Sequence, residues 1–286
     1  MRAPPPPVSA SGGGGVIMAP TLFLEAFGQL VPETAAIRAE EEDLYSVFRA
    51  RAEVMGWSST DPHPTRLWGL EEAELTESST NARIGFVQIG MSEDGIEARR
   101  EWPPEHSGFA PLPYRRRSTI APTGVLPAAS QCFDDALRRF GHVTLAGMQV
   151  TILDMDNSAR VHSDLLSGLN WFRLTPATRT TALIALDHGL LGDHANLLAA
   201  NLQQWNLDVV SFGPLIPVQE PHQIRVPSAM PHDFSNLTPA NHGLSVILPE
   251  WQASAVGWAT ALVIDTALEI MPDVRNCAVR VTRTQA

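Results

Sequence analysis

The order of predicted elements most constrains the fold of this chain, because the same order occurs twice. From residue 16 to 153, the apolar pattern predicts strand, helix, strand, strand, helix and strand, and the order repeats from about residue 181. This repetition predicts an α+β protein of two tandem ferredoxin-like (βαββαβ) units, arranged as a pseudo-dimer with Pro-rich insertions. The two sheets are expected to pack face to face or to join edge to edge, with a cleft between the units.

Composition marks the segments that surround these units. Residues 1–15, MRAPPPPVSASGGGG, cannot build a core and predict a disordered tail. The Pro-rich stretches at 91–126 and 213–242 predict long insertions. The remaining division is a first α+β unit at 16–153, a connector at 154–180 and a second α+β unit at 181–286.

Several element boundaries are predicted from proline, glycine and apolar runs. Pro127 is expected to open the second helix, and Gly141 to end it. A weak strand is expected near 66–70, and the run LDVVSF predicts another at 207–212. Residues 253–271 are apolar almost all round, which indicates a helix that is buried on more than one side.

Charge and residue usage exclude several classes of function. The net charge is -11, and all 20 basic residues are Arg, so neither nucleic-acid binding nor Lys-based covalent chemistry is expected. Only two cysteines are present, Cys132 and Cys277, which argues against a disulfide scaffold and a Cys-based zinc site. No signal peptide or membrane span is recognised, so we expect a soluble, cytoplasmic protein that does not bind membranes.

The sharpest local pattern for chemistry is His142-Val143-Thr144-Leu145. Residues two apart in a strand share a face, so His142 and Thr144 are expected to point the same way. This His-x-Thr pattern resembles the repeated signature of the two-histidine phosphoesterases, which are bilobal α+β enzymes. The resemblance implies that His142 is an acid or base and that Thr144 binds phosphate oxygens.

The second motif of that family is missing from this sequence. Around His222 the position of the hydroxyl is held by Ile224, and after His242 the serine, Ser245, comes one place too late. The alternative is that His142 begins a strand just after Gly141 and that Thr144 is an ordinary strand residue.

A second candidate site surrounds the loop between a strand and the following helix. Asp187-His188 and Asp193-His194 flank Gly189–Gly192, where α/β folds often place ligands. We therefore predict catalytic residues at His142, Thr144 and His188, and metal ligands at His188, Asp193 and His194. The alternative is a capped surface turn. No particular cofactor is indicated.

Three functions remain open on the sequence. The first is a non-catalytic binding or assembly protein, which holds a protein partner, a second copy or a small ligand at the inter-unit cleft or on the charge-poor second unit. The second is a small-molecule enzyme with His acid–base chemistry, such as a two-histidine phosphoesterase-like hydrolase. The third is an RNA-processing protein, which the acidic charge disfavours.

Overall fold

The structure is a computed structural model, which describes the chain in several separate stretches. The described residues are 20–32, 43–55, 69–76, 82–90, 122–153, 155, 165, 172, 178–187, 192–205, 207, 209–219, 224 and 239–284. The elements bounded within them are β1 (Thr21–Pro32), α1 (Leu44–Val54), β2 (Gly69–Leu75), β3 (Ala82–Gly90), α2 (Pro122–Arg138), β4 (Gly141–Leu153), β5 (Thr180–Asp187), α3 (Ala195–Gln204), β6 (Ser211–Pro217), β7 (Pro239–Leu248), α4 (Ala253–Ile270) and β8 (Cys277–Arg283). The predicted tail at 1–15 lies outside the described residues.

The eight strands form one antiparallel sheet, in the order β2-β3-β1-β4-β8-β5-β7-β6. The α+β prediction is therefore confirmed. We call residues 21–153 the first half and residues 180–283 the second half. Each half shows strand, helix, strand, strand, helix and strand along the chain, and the four strands of each half lie side by side.

The halves join edge to edge through β4 and β8, a strand pair that we call the seam. In its register Gly147 lies opposite Thr282, Gln149 opposite Arg280 and Thr151 opposite Ala278. Because the side chains of a strand alternate between faces, this register determines which residues of the two halves meet.

The four helices pack on one face of the sheet, which we call the helix face. Leu24, Val150 and Val279 point from the strands into a core that the helices share. Helices α2 and α4 lie in contact above the seam, where Gly257 approaches Ser130 and Leu126 so closely that a Cβ at Gly257 would meet both. The core therefore runs continuously across the two halves.

Helix α4 is buried by its own chain. Its 18 residues have a mean hydropathy of 1.3 and are 83% buried, and α4 alone among the described helices is long and apolar enough to cross a membrane. Trp258 donates a hydrogen bond to the Leu165 carbonyl (2.7 Å) and contacts Phe172 edge to face, so the connector packs on α4. This burial agrees with the prediction of a helix buried on more than one side.

Two boundaries differ from prediction because proline is tolerated in special positions. Helix α2 begins at Pro122, so Pro127 lies inside it rather than opening it. Strand β6 begins at Ser211 and includes Pro214 and Pro217, whereas the predicted strand was 207–212. β6 is an outer strand, where a missing backbone N–H removes no hydrogen bond of the sheet. The weak strand expected near 66–70 overlaps β2 (Gly69–Leu75) only at its last two residues, and residues 66–68 lie outside the described part of the chain.

Candidate functional site

A row of polar side chains crosses the face of the sheet opposite the helices, which we call the second face. Glu25 of β1 lies opposite Gln149 of β4, which lies opposite Arg280 of β8. All three residues are buried, with exposed fractions of 3%, 0% and 2%. Charged residues are almost never fully buried without partners, so this row requires an explanation.

Glu25 is held by side chains from the neighbouring strands. The Gln149 amide donates to one carboxylate oxygen at 3.0 Å, and the Arg83 guanidinium donates to the other at 3.3 Å. Arg83 also lies 3.6 Å from the exposed carboxylate of Glu74 and 5.1 Å from the centre of the Phe86 ring. The Glu25 carboxylate is thus compensated in charge and in hydrogen bonds.

Arg280 is the largest fully buried side chain in the described part of the chain, and it reaches from β8 across the seam. Its guanidinium carbon lies 4.0 Å from the centre of the Phe27 ring, which belongs to β1 in the first half. Gly147 lies between them in the sheet, opposite both Phe27 and Thr282. Because Gly147 has no side chain, the guanidinium can reach the ring and make a cation–π contact.

Two threonines flank the Gln149–Arg280 pair. Thr151 follows Gln149 by two residues and Thr282 follows Arg280 by two, so both hydroxyls lie on the second face, at opposite ends of the pair. Both residues are buried, yet neither hydroxyl has a hydrogen-bond partner among the described residues. A buried hydroxyl without a partner costs about 1–3 kcal/mol. The site therefore contains polar atoms with unused bonding capacity.

Among the described residues, Asp187 is a second buried carboxylate of the second face, and it is bound by the backbone of β8. It accepts a hydrogen bond from the Ala278 N–H at 2.5 Å, where the pairing of β5 with β8 ends. The nearby thiol of Cys277 points to the helix face, and its pKa is raised by burial and by the charge of Asp187. Cys277 is thus a protonated core residue.

The arrangement is suited to binding. The two central strands contribute a guanidinium, two hydroxyls and the amide that bonds Glu25, and Phe23 and Phe27 of β1 lie beside them. None of these groups is an activated nucleophile or a proton donor that titrates near neutral pH.

His142 and Thr144, predicted as catalytic residues, share the exposed side of β4. A bulge in β4 places them on the second face, because Phe27 pairs with Gly147 whereas Gly28 pairs with Leu145, which leaves Ala146 as an extra residue. Gly28 has a φ of +153° at this point, and a Cβ there would meet the Thr144 carbonyl. His142 and Thr144 therefore lie on the same face as the polar row, nearer the end of the strand.

The metal ligands predicted beyond β5 are only partly described. His188 lies outside the described residues. Asp193 and His194 are exposed in the 3-10 turn Gly192–His194, and His194 makes no side-chain capping bond to α3. Within the described part of the chain, no group of three or more His, Cys, Asp or Glu side chains could hold a metal ion.

A groove of about 350 Å³ lies between α1 and α2, lined by Val47, Arg51, Asp135, Ala136, Arg138 and Arg139. Arg51 lies 2.6 Å from Asp135, and Arg138 lies 2.7 Å from Asp134. These ion pairs fill the groove with internal contacts, so it makes a weaker candidate site than the polar row.

Sequence reasoning missed Glu25, Gln149 and Arg280 as a set. The signal was the alternation of polar and apolar residues in β4 and β8, together with a glutamate inside the apolar run of β1. Alternation indicates which residues share a face, but it does not show that the polar face is buried.

Comparisons with protein-family models and with curated proteins found no match to this chain.

Proposed function

We propose that this chain is a non-catalytic binding protein that holds a small polar ligand on the second face, at the seam between its halves. The observation that carries the proposal is a pair of buried hydroxyls, those of Thr151 and Thr282, which flank Gln149 and Arg280 and have no hydrogen-bond partner among the residues that the structure describes. A ligand that accepts or donates hydrogen bonds there would recover the free energy that these hydroxyls lose on burial.

The proposal includes the finer fold assignment of two tandem ferredoxin-like units forming a pseudo-dimer. Its support is the strand order, because each half places its second, third, first and fourth strands side by side. In such an arrangement, the ligand would contact both units at their junction.

The first test is a thermal-shift screen of the full chain against metabolites, nucleotides and divalent metals, together with native mass spectrometry of the purified protein. A ligand that binds only the folded state raises the Tm. We expect a hit that raises the Tm of the wild type and loses its effect in the Thr151→Val, Thr282→Val double variant.

The matched control is Thr260→Val, because Thr260 is a buried threonine of α4 whose hydroxyl also lacks a described partner. This variant should keep the full ligand effect. A ligand effect that is equal in all three proteins would place the ligand elsewhere and contradict the proposal.

Binding of a protein partner or a second copy is the other form of the same proposal, and the geometry gives it less support. The apolar helix α4 is already covered by α2 and by the connector. The outer strands β2 and β6 carry glutamates and prolines respectively, which disfavour pairing with another sheet.

The enzyme hypothesis depends on His142 and Thr144, which are both exposed. A groove that encloses a phosphate would bury part of these side chains, so the hydrolase is our second candidate. It predicts hydrolysis of a cyclic phosphate that His142→Ala abolishes without a change in Tm. The RNA-processing alternative gains no support from the polar row, and a cytoplasmic location remains part of the proposal.

A further inference from the structure

The groove between α1 and α2, which we call the arginine groove, is lined by three arginines, Arg51, Arg138 and Arg139. We propose that this groove is a second binding site, and that it takes a small phosphate ester whose phosphate group binds Arg51 and Arg138. This inference concerns the helix side of the sheet and does not depend on the ligand proposed for the second face.

The charge of the arginine groove favours an anion. The whole chain has a net charge of -11, yet the groove is lined by three arginines, one aspartate and two uncharged residues, which gives a local charge of +2. The charge is still +1 when Asp134, which pairs with Arg138, is counted. The helix dipoles account for arginines in the last turns of α1 and α2, but not for their meeting at one groove.

Arg51 and Arg138 keep donor groups beyond their ion pairs. The Nε and Nη2 atoms of Arg51 lie 2.8 and 2.6 Å from one oxygen of Asp135, and the Nε of Arg138 lies 2.7 Å from Asp134. Among the described residues, no acceptor bonds Nη1 of Arg51 or either Nη of Arg138. Guanidinium N–H groups bond phosphate oxygens in pairs, so these remaining donors suit a phosphate group.

The existing ion pairs leave both arginines able to take part in binding. The side chains of Arg51 and Arg138 are 44% and 47% exposed, and ion pairs at this exposure contribute little to stability. The other oxygen of Asp135 accepts a hydrogen bond from the Gln131 amide at 2.8 Å, so Asp135 keeps a partner when Arg51 turns towards a ligand. Arg138 can hold Asp134 through Nε while its two Nη groups bind phosphate.

The size of the arginine groove indicates a ligand larger than a bare ion. Its volume of about 350 Å³ lies in the range of pockets that hold small molecules, about 300–1,000 Å³. Val47 and Ala136 line the groove beside the charged groups and offer apolar contact. The ligand would therefore carry a short organic body next to its phosphate.

The test titrates the full chain with glycerol 3-phosphate at low ionic strength, by calorimetry and thermal shift, with inorganic phosphate and glycerol as matched probes. We expect glycerol 3-phosphate to bind more tightly than inorganic phosphate, and glycerol not to bind. The affinity should fall as salt is added, because both arginines are partly exposed. Arg51→Gln should weaken binding about tenfold, since a charge-assisted hydrogen bond is lost.

The matched control is Arg49→Gln, which removes the same charge from the same helix, at an exposed fraction of 41%, but away from the groove. This variant should bind glycerol 3-phosphate as the wild type does. Arg138→Lys keeps the charge but loses the fork, so it should also weaken binding, and it decides the question if Arg51→Gln fails to fold.

Equal affinities in Arg51→Gln and Arg49→Gln would overturn the inference, and so would inorganic phosphate or glycerol binding as tightly as the ester. A phosphoserine peptide that binds more tightly than glycerol 3-phosphate would assign the groove to a partner protein instead. Loss of binding in the Thr151→Val, Thr282→Val variant would place the phosphate on the second face. Conversely, a metabolite that loses its effect in Arg51→Gln but keeps it in that double variant belongs to the groove, so the two sites are tested separately.

Discussion

The Glu25 carboxylate shows how strongly a single buried charge depends on its partners. Glu25→Gln keeps the shape of the side chain but removes the charge that Arg83 faces, and Arg83 is only 21% exposed. We expect the free energy of unfolding to fall by about 2 kcal/mol, because the partly buried guanidinium loses its buried counter-ion and keeps only the exposed carboxylate of Glu74. Urea denaturation measures this change.

Arg49→Gln is the control for Glu25, since Arg49 pairs with Glu53 on α1 with exposed fractions of 41% and 37%. An exposed pair of this kind contributes about 0.5 kcal/mol or less. If Glu25→Gln and Arg49→Gln lowered the free energy of unfolding equally, burial would not govern the strength of these ion pairs.

Cys132 makes stability depend on pH in a direction that can be stated. Burial, and then the charge of Asp135, raise the pKa of this thiol from 9.0 to about 11. Burying the neutral Cys132 thiol contributes fully to the free energy of unfolding below pH 9. This contribution is lost as the pH rises towards 11, because the thiol ionises at a lower pH in the unfolded chain than in the folded protein.

Between pH 8 and pH 10 we expect the free energy of unfolding to fall by about 1 kcal/mol more in the wild type than in Cys132→Ala. Urea denaturation at both pH values measures this difference. Cys277 contributes in both proteins, so it cancels from the comparison. Parallel pH profiles for the two proteins would contradict this prediction.

At the scale of elements, the contact of α2 with α4 depends on the absence of a side chain at Gly257. Gly257→Ala gains about 1 kcal/mol of helix propensity. The new Cβ would nevertheless lie 2.5 Å from the Ser130 hydroxyl oxygen and 2.9 Å from the Leu126 carbonyl, which is rigid backbone. We expect a net loss of about 1–3 kcal/mol, measured by thermal and urea unfolding.

The double variant with Ser130→Ala should recover part of this loss, because it removes the nearest atom. Ser130→Ala alone should be neutral or stabilising, since the serine hydroxyl is buried without a described partner. Strict additivity of the two changes would argue against a direct contact between the helices at this point.

Most elements could be predicted from the sequence because each depends on local periodicity. Strand β5 begins within one residue of the expected start of the second unit at about 181, and helix α4 ends within one residue of the expected 253–271. Strand β6 was misplaced because its prolines are acceptable only on an outer strand, and the position of a strand in the sheet is not a local property. The row from Glu25 to Arg280 was missed for the same reason, since it joins three strands that are far apart in sequence.

At the scale of the whole molecule, the seam makes each half depend on the other. A fragment of residues 20–153 would expose the unpaired edge of β4 and the face of α2 that packs on α4. An exposed strand edge pairs readily with another chain. We expect this fragment to dimerise or aggregate in analytical ultracentrifugation, whereas the full chain should unfold in one cooperative transition.

Mixing this fragment with a second fragment, residues 155–286, is the control, because β8 should then occupy the edge of β4 and suppress self-association. A stable, folded monomer of the first fragment alone would show that the halves are independent domains and contradict the prediction.

Because the two halves belong to one chain, the residues on the two sides of the seam need not be identical. A true homodimer would present the same residue on both sides of its axis, whereas here an amide faces a guanidinium, Gln149 against Arg280. A molecule that binds across the seam would meet a neutral amide on β4 and a positively charged guanidinium on β8. Its two orientations therefore differ in energy, and an unsymmetrical molecule would be held in a single direction.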